Sequence, residues 1–147
     1  MEKLDPNRQL QVWQRVAAGP QPQGGDLRPM LLNAAETVAV YRHLLGQLQG
    51  KPRQQIKQLL QMAQNTLHCL RGIQSMSGYP AGNLRTPPVP KELPRRLLEK
   101  SFHRAGRQIA EYTARTLDPE FGTVWQGLAD REREAVMLLV QMIGEMA

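Results

Sequence analysis

Apolar residues recur every three or four positions through four long stretches of the chain. That is the period of helices with one buried face. Leu31, Ala34, Ala35, Val38, Tyr41, Leu45 and Leu48 mark the first stretch, predicted from about Asp26 to Gln49. Asp26 is placed to cap its start, and Gly50 with Pro52 to stop it. Ile56, Leu59, Leu60, Ala63, Leu67 and Leu70 mark the second, from near Pro52 to near Gly78. Gly72 lies inside it at a cost of about 1 kcal/mol against Ala. The third carries Leu98, Phe102, Ala105, Ile109, Tyr112 and Thr116 between Pro94 and Leu117. The fourth carries Trp125, Leu128, Ala129, Ala135, Leu139 and Ile143 and runs to near Met146. Asp118-Pro119-Glu120 opens it with an N-cap, a first-position proline and a first-turn acid.

The connections differ in kind. Tight Gly/Pro or Asp-Pro turns join the first pair of helices and the second pair. Between the pairs, Gly78 to Pro90 includes Pro80, Pro87, Pro88 and Pro90. These prolines exclude regular structure and favour extended geometry, so the segment can run the length of a bundle. Hairpin, long Pro-rich crossover, hairpin predicts an all-α, ferritin-like four-helix bundle. Ahead of it, Asp5-Pro6 opens a short helix carrying Leu10, Trp13, Val16 and Ala17, and Gly19 to Gly25 reads as a linker. Residues 1–25 thus form an appendage and residues 26–147 the bundle. The appendage is too short to be a stable helix alone, so Trp13 docks on the main body or awaits a partner.

Composition agrees with helices: 41% of the 147 residues are hydrophobic and only 5% aromatic. The single Cys69 cannot form an internal disulfide, which fits a reducing compartment. No apolar run approaches the roughly 20 residues of a membrane span. The start, Met1-Glu2-Lys3-Leu4-Asp5, lacks a signal-peptide pattern. The expectation is a cytoplasmic protein that does not enter membranes. The net charge of +6 is concentrated between Lys51 and Arg115, including Lys91, Arg95, Arg96, Lys100, Arg104 and Arg107. Such a surface can attract polyanions. Zinc ligands, a helix-turn-helix signature and interleaved aromatics are all missing, so a solvated face with no nucleic-acid partner is expected.

Particular stretches resemble rubrerythrin-like proteins of the ferritin fold. Asn33-Ala34-Ala35-Glu36-Thr37-Val38-Ala39-Val40-Tyr41-Arg42 resembles their first helix, and Gln64 to Ile73 with Gly78 downstream resembles their second. Ala129 to Leu139 resembles their last. The resemblance covers roughly Asp26 to Met146. It implies a di-iron site built from one Glu on each of helices one and three, about two turns before a Tyr, and Glu-x-x-His on helices two and four. Here those positions fall at Ala34, Ala105, Asn65/His68 and Arg131/Glu134. A register shifted by one on the last helix puts Glu132 and Ala135 there instead.

On the first register only His68 and Glu134 keep a ligand chemistry. Two bridged cations need several carboxylates, and Arg131 would set a fixed positive charge where they sit. Ala34, Asn65, His68, Ala105, Arg131 and Glu134 are therefore expected to be a vestigial cluster with no cofactor. Glu36 and Glu111 are expected on the outside, with His43 and His103 as surface or packing residues. Cys69 points about 100° away from His68 and forms no nucleophile pair with it. The expected function is a non-catalytic bundle acting through protein–protein contacts or as a homo-oligomer, such as a dimer. Two alternatives stand beside it: a divergent di-iron oxidoreductase or iron-handling protein, and a basic module binding polyanions.

Overall fold

Asp26 starts the first helix. Its carboxylate accepts the Arg28 backbone N–H at 3.0 Å and the Arg28 side chain at 2.9 Å, supplying an acceptor to a backbone donor that the helix leaves open. The cap residue itself is Leu27, and α1 spans Arg28–Gln47. Leu48 and Gln49 turn the chain, and Gly50 takes φ 62°, a left-handed value suited to glycine. α2 then runs Gly50–Ser77, beginning two residues before the expected Pro52. Gly78 ends it at φ 72°, with its N–H bonded back to Gln74 and Ser75 carbonyls. The Arg53 guanidinium donates to the Leu45 carbonyl across the turn. This satisfies an acceptor left open at the end of α1.

α3 spans Pro94–Ala114 and α4 spans Gly122–Glu145. Asp118 does not cap α4, whose cap residue is Phe121, three residues later than the sequence predicts, but it serves the turn before it. Its Oδ1 accepts N–H bonds from Glu120 at 2.8 Å and Phe121 at 3.2 Å, so it organises the turn that leads into α4. Gly122 follows because the turn is tight. A Cβ there would lie 2.5 Å from the Thr116 carbonyl oxygen.

This computed structural model describes residues 26–78 and 85–146, which are all-helical apart from turns and extended connections. The N-terminal helix and linker expected within residues 1–25 lie outside the described residues. No helix among the described residues is long and apolar enough to cross a membrane.

Two apolar clusters define the bundle. The first gathers Tyr41 and Leu44 from the end of α1, Ile56 and Leu59 from the start of α2, Leu97 and Leu98 from the start of α3, and Leu139 and Met142 from the end of α4. The second gathers Leu31 from the start of α1, Leu70 and Ile73 from the end of α2, Tyr112 from the end of α3, and Trp125 and Leu128 from the start of α4. Each cluster takes the same end of α1 and α4 and the opposite end of α2 and α3. The helices therefore run up, down, down, up. α1 packs on α2 and α3, and α4 on α3 and α2, leaving α2 and α3 on a diagonal. Lys51 to Glu145, 3.0 Å, ties the start of α2 to the end of α4. Arg104 to Glu36, a half-buried pair at 3.3 Å, ties α3 to α1.

α2 thus ends beside the second cluster, whereas Val89 packs on the first. Trp125 is fully buried and stacks on Tyr112 with ring centroids 5.9 Å apart, and Arg115 lies over its ring at 5.3 Å. The inward stripes are rotated slightly from expectation. Leu45, Leu60, Phe102, Ile109 and Ile143 are half-buried, while Leu44, Ser101, Gln108 and Met142 are buried.

The turn into α4 makes a testable demand. Gly122→Ala should lower the unfolding free energy by more than about 1 kcal/mol, because the Cβ meets backbone. Gly106 and Gly127 sit within helices with nothing near a Cβ, so Ala there should add roughly 0.5–1 kcal/mol. Urea unfolding of the three variants checks the contrast, and equal effects at all three sites would contradict it.

Candidate functional site: a buried polar layer

Between the two apolar clusters, each helix turns one polar side chain inward. α1 gives Thr37, α2 Thr66, α3 Gln108 and α4 Glu132, at 7%, 4%, 3% and 8% exposure. Helical periodicity places them there. Ser101, Gln108, Leu98, Ala105 and Tyr112 follow three-, four- and seven-residue steps on α3, and Ala129, Glu132 and Ala135 follow three-residue steps on α4. Around the polar groups lie Ala34, Ala63, Ala105 and Ala135, all buried. Small side chains here let the helices close on the layer.

What remains is a small cavity lined by Ala34, Thr37, Tyr41, Thr66, Gln108, Arg131 and Glu132, among others. Its volume is about 10 Å³, room for about one water. Thr37 donates to the Asn33 carbonyl at 2.9 Å, one turn back on its own helix. The Ser101 hydroxyl faces the Tyr41 phenol without a hydrogen bond of good geometry, and the Tyr112 hydroxyl and Trp125 Nε1 are buried without partners. Among the described residues no group donates a hydrogen bond to the Glu132 carboxylate, and Arg131 makes no ion pair. Burial therefore acts on Glu132 unopposed and lifts its carboxyl to about 7. Burial also raises the Tyr41 and Tyr112 phenols above their ordinary value, and the negative charge of Glu132 pushes both further. For Tyr41, Arg104 and Ser101 work in the opposite direction.

The expected cluster is only partly brought together. Ala34 and Ala105 are buried beside the layer. Arg131 is half-buried and reaches the cavity lining. Asn65, His68 and Glu134 are exposed. They correct the register: the inward pairs three residues apart are Ala63/Thr66 on α2 and Glu132/Ala135 on α4. Glu111 is exposed, but Glu36 is half-buried against Arg104 instead of facing solvent. His43 is half-buried, His103 exposed, and Cys69 half-buried beside the second cluster.

The donor set is poor for a di-iron centre. One carboxylate cannot neutralise and bridge two cations. Among the described residues no group of three or more His, Cys, Asp or Glu is placed to hold a metal ion. The residues at this height do not fit such a group. What the layer can do chemically is hold one proton on Glu132 near neutral pH. Set beside family models, curated proteins and solved structures, the chain matches none of them.

The raised carboxyl gives a signed prediction. In acid, Glu132 is protonated in both folded and unfolded chains, and its burial costs little. As pH rises past the ordinary value of 4.5 the unfolded chain releases its proton first, and the folded one follows only near 7. Stability from this group therefore falls across that window, by roughly 3 kcal/mol, and stays level above it. Glu132→Gln removes the ionisation. The variant should be more stable than the parent at about pH 8 by about that amount, with the gap nearly closed at about pH 4. Urea unfolding at both values measures the gap; a gap independent of pH would show that the carboxyl is not desolvated.

Proposed function

We infer that the chain is a ferritin-like bundle, of the rubrerythrin-like kind, that has given up its di-iron centre and works without catalysis through protein–protein contacts. The up-down-down-up order of the helices supports the fold reading. One observation carries the functional one. Facing the polar layer are the buried Ala34, Ala63, Thr66, Ala105, Glu132 and Ala135, of which only Glu132 is a ligand of the kind a di-iron centre requires. The iron-handling alternative needs at least three more carboxylates in a layer closed by alanine methyl groups.

With only one acid among the buried residues described, the reading puts the bundle's contacts on its surface. Met137 and Val140, one turn apart on the outer face of α4, are 75% and 52% exposed, and they offer apolar side chains to a protein partner or a second copy. A cytoplasmic setting fits the lone cysteine.

Elemental analysis of the purified full chain, before and after aerobic loading with ferrous iron, tests the reading. The expected result is far less than one iron per chain in both samples. Two irons per chain that survive gel filtration, and fall away in Glu132→Ala, would overturn it.

A further inference from the structure

The seam between α2 and α4 can be followed along the surface by steps of seven residues. Met62 of α2 and Arg131 of α4 line the same small cavity, so both stand where these helices meet. Seven residues make nearly two turns, about 10.5 Å along the axis, and return to nearly the same face. On α2 that step leads from Met62 to Cys69 and then to Met76. On α4, followed backwards, it leads from Arg131 to Val124. The two helices run antiparallel, so both series travel toward the end of the bundle where the second cluster sits and α1 begins. Gly72 lies between Cys69 and Met76, and Gly127 between Val124 and Arg131, each at steps of three and four residues.

This stretch of the seam is open and apolar. Gly72 and Gly127 are exposed, and among the described residues nothing beyond their own turns of helix lies within 4 Å of where a Cβ would be. Met76 is 73% exposed and Val124 40%. Two apolar side chains make a small centre for a stable interface between separate proteins, which engages about 20–30 residues a side. A segment of the same chain needs less, because its tether holds it at an effective concentration in the millimolar range. Residues 1–25, outside the described residues, join the bundle through Asp26 at the start of α1, the helix packed on α2. Leu10, Trp13 and Ala17 are also spaced by three and four residues, on the stripe of a predicted helix too short to stand without a surface. The seven residues from Gly19 to Gly25 reach at most about 25 Å, against about 8–10 Å between the axes of packed helices.

We propose that the seam between α2 and α4 is the docking site of the chain's own N-terminal segment, with the Trp13 indole laid over Gly72 and Gly127 between Met76 and Val124. The glycines leave room for a large flat ring, and the Met76 thioether is a favourable neighbour for an aromatic side chain. Leu10 and Ala17, one turn to either side of Trp13, extend the contact along the seam. Docking takes Trp13, Met76 and Val124 out of water together. The proposal does not depend on the state of the bundle interior and stands or falls apart from the metal-free reading.

NMR of the full chain, isotope-labelled at tryptophan and at the methionine methyls, tests it, with Trp13→Phe distinguishing the two indole signals. The expected result is an Overhauser contact between the Trp13 ring and the Met76 methyl. In a mixture of chains labelled only at tryptophan with chains labelled only at methionine the contact should vanish, because it lies within one chain. Met76→Lys combined with Val124→Lys should move the Trp13 signal to the position of a free indole. Both replaced side chains are exposed, so circular dichroism should show the fold unchanged. A Trp13 signal already at the free position in the parent chain would overturn the proposal, as would one that the double variant leaves in place. A contact that persists in the mixture would give the seam to a second copy, and a contact to Met137 instead of Met76 would put the segment on the outer face of α4; either result overturns it as well.

Discussion

Each of the two apolar clusters draws one end from all four helices, and this arrangement fixes everything else in the molecule. Leu44 must meet Leu59, Leu98 and Leu139, while Leu31 must meet Leu70, Tyr112 and Trp125. Only an up-down-down-up order satisfies both sets. That order goes with α2 and α3 on a diagonal, with α2 ending beside the second cluster and Val89 packed on the first. Burial of each large side chain contributes about 1.5–3 kcal/mol, so the clusters together dominate any single polar contact. The exposed ion pairs decorate this frame; individually they are worth at most about 1 kcal/mol.

The middle of the bundle is where the frame can tolerate something else. Alanines at 34, 63, 105 and 135 keep the walls close, and the remaining space takes Thr37, Thr66, Gln108 and Glu132. A lone buried carboxyl without donors costs a few kcal/mol when ionised. One or two core leucines offset that, so the fold survives it. The cost is nevertheless a large part of a typical net stability of 5–15 kcal/mol. Among the described residues the interior carries one buried acid, Glu132.

The four helices among the described residues and most of the core were legible because they rest on strong local signals. Apolar period, Gly78, the proline run and Asp118 each act within a few residues of themselves. The candidate site was harder to read because its register depends on which polar side chains turn inward. Ser101 and Gln108 are polar, so a hydrophobicity pattern favours their neighbours Phe102 and Ile109, which the structure leaves half-buried. His68 and Glu134 attract notice as ligand types, yet three-residue steps from Ala63 and Ala129 reach Thr66 and Glu132. Glu132 sits on the α4 stripe between Ala129 and Ala135, and that spacing was the available signal. The neighbourhood of Glu36 and Arg104 could not be read, because it depends on how α1 and α3 pack.

The central claim is that Glu132 is buried and desolvated in a closely packed layer between the two apolar clusters. Its ionisation reports on that layer directly. Selective ¹³C labelling of glutamate and observation of the side-chain carboxyl resonance across pH would follow it in the folded chain, with Glu132→Gln identifying the signal. The account predicts a midpoint at about 7. A midpoint at the ordinary value of 4.5 would place Glu132 in water and contradict the closed interior on which the reading depends.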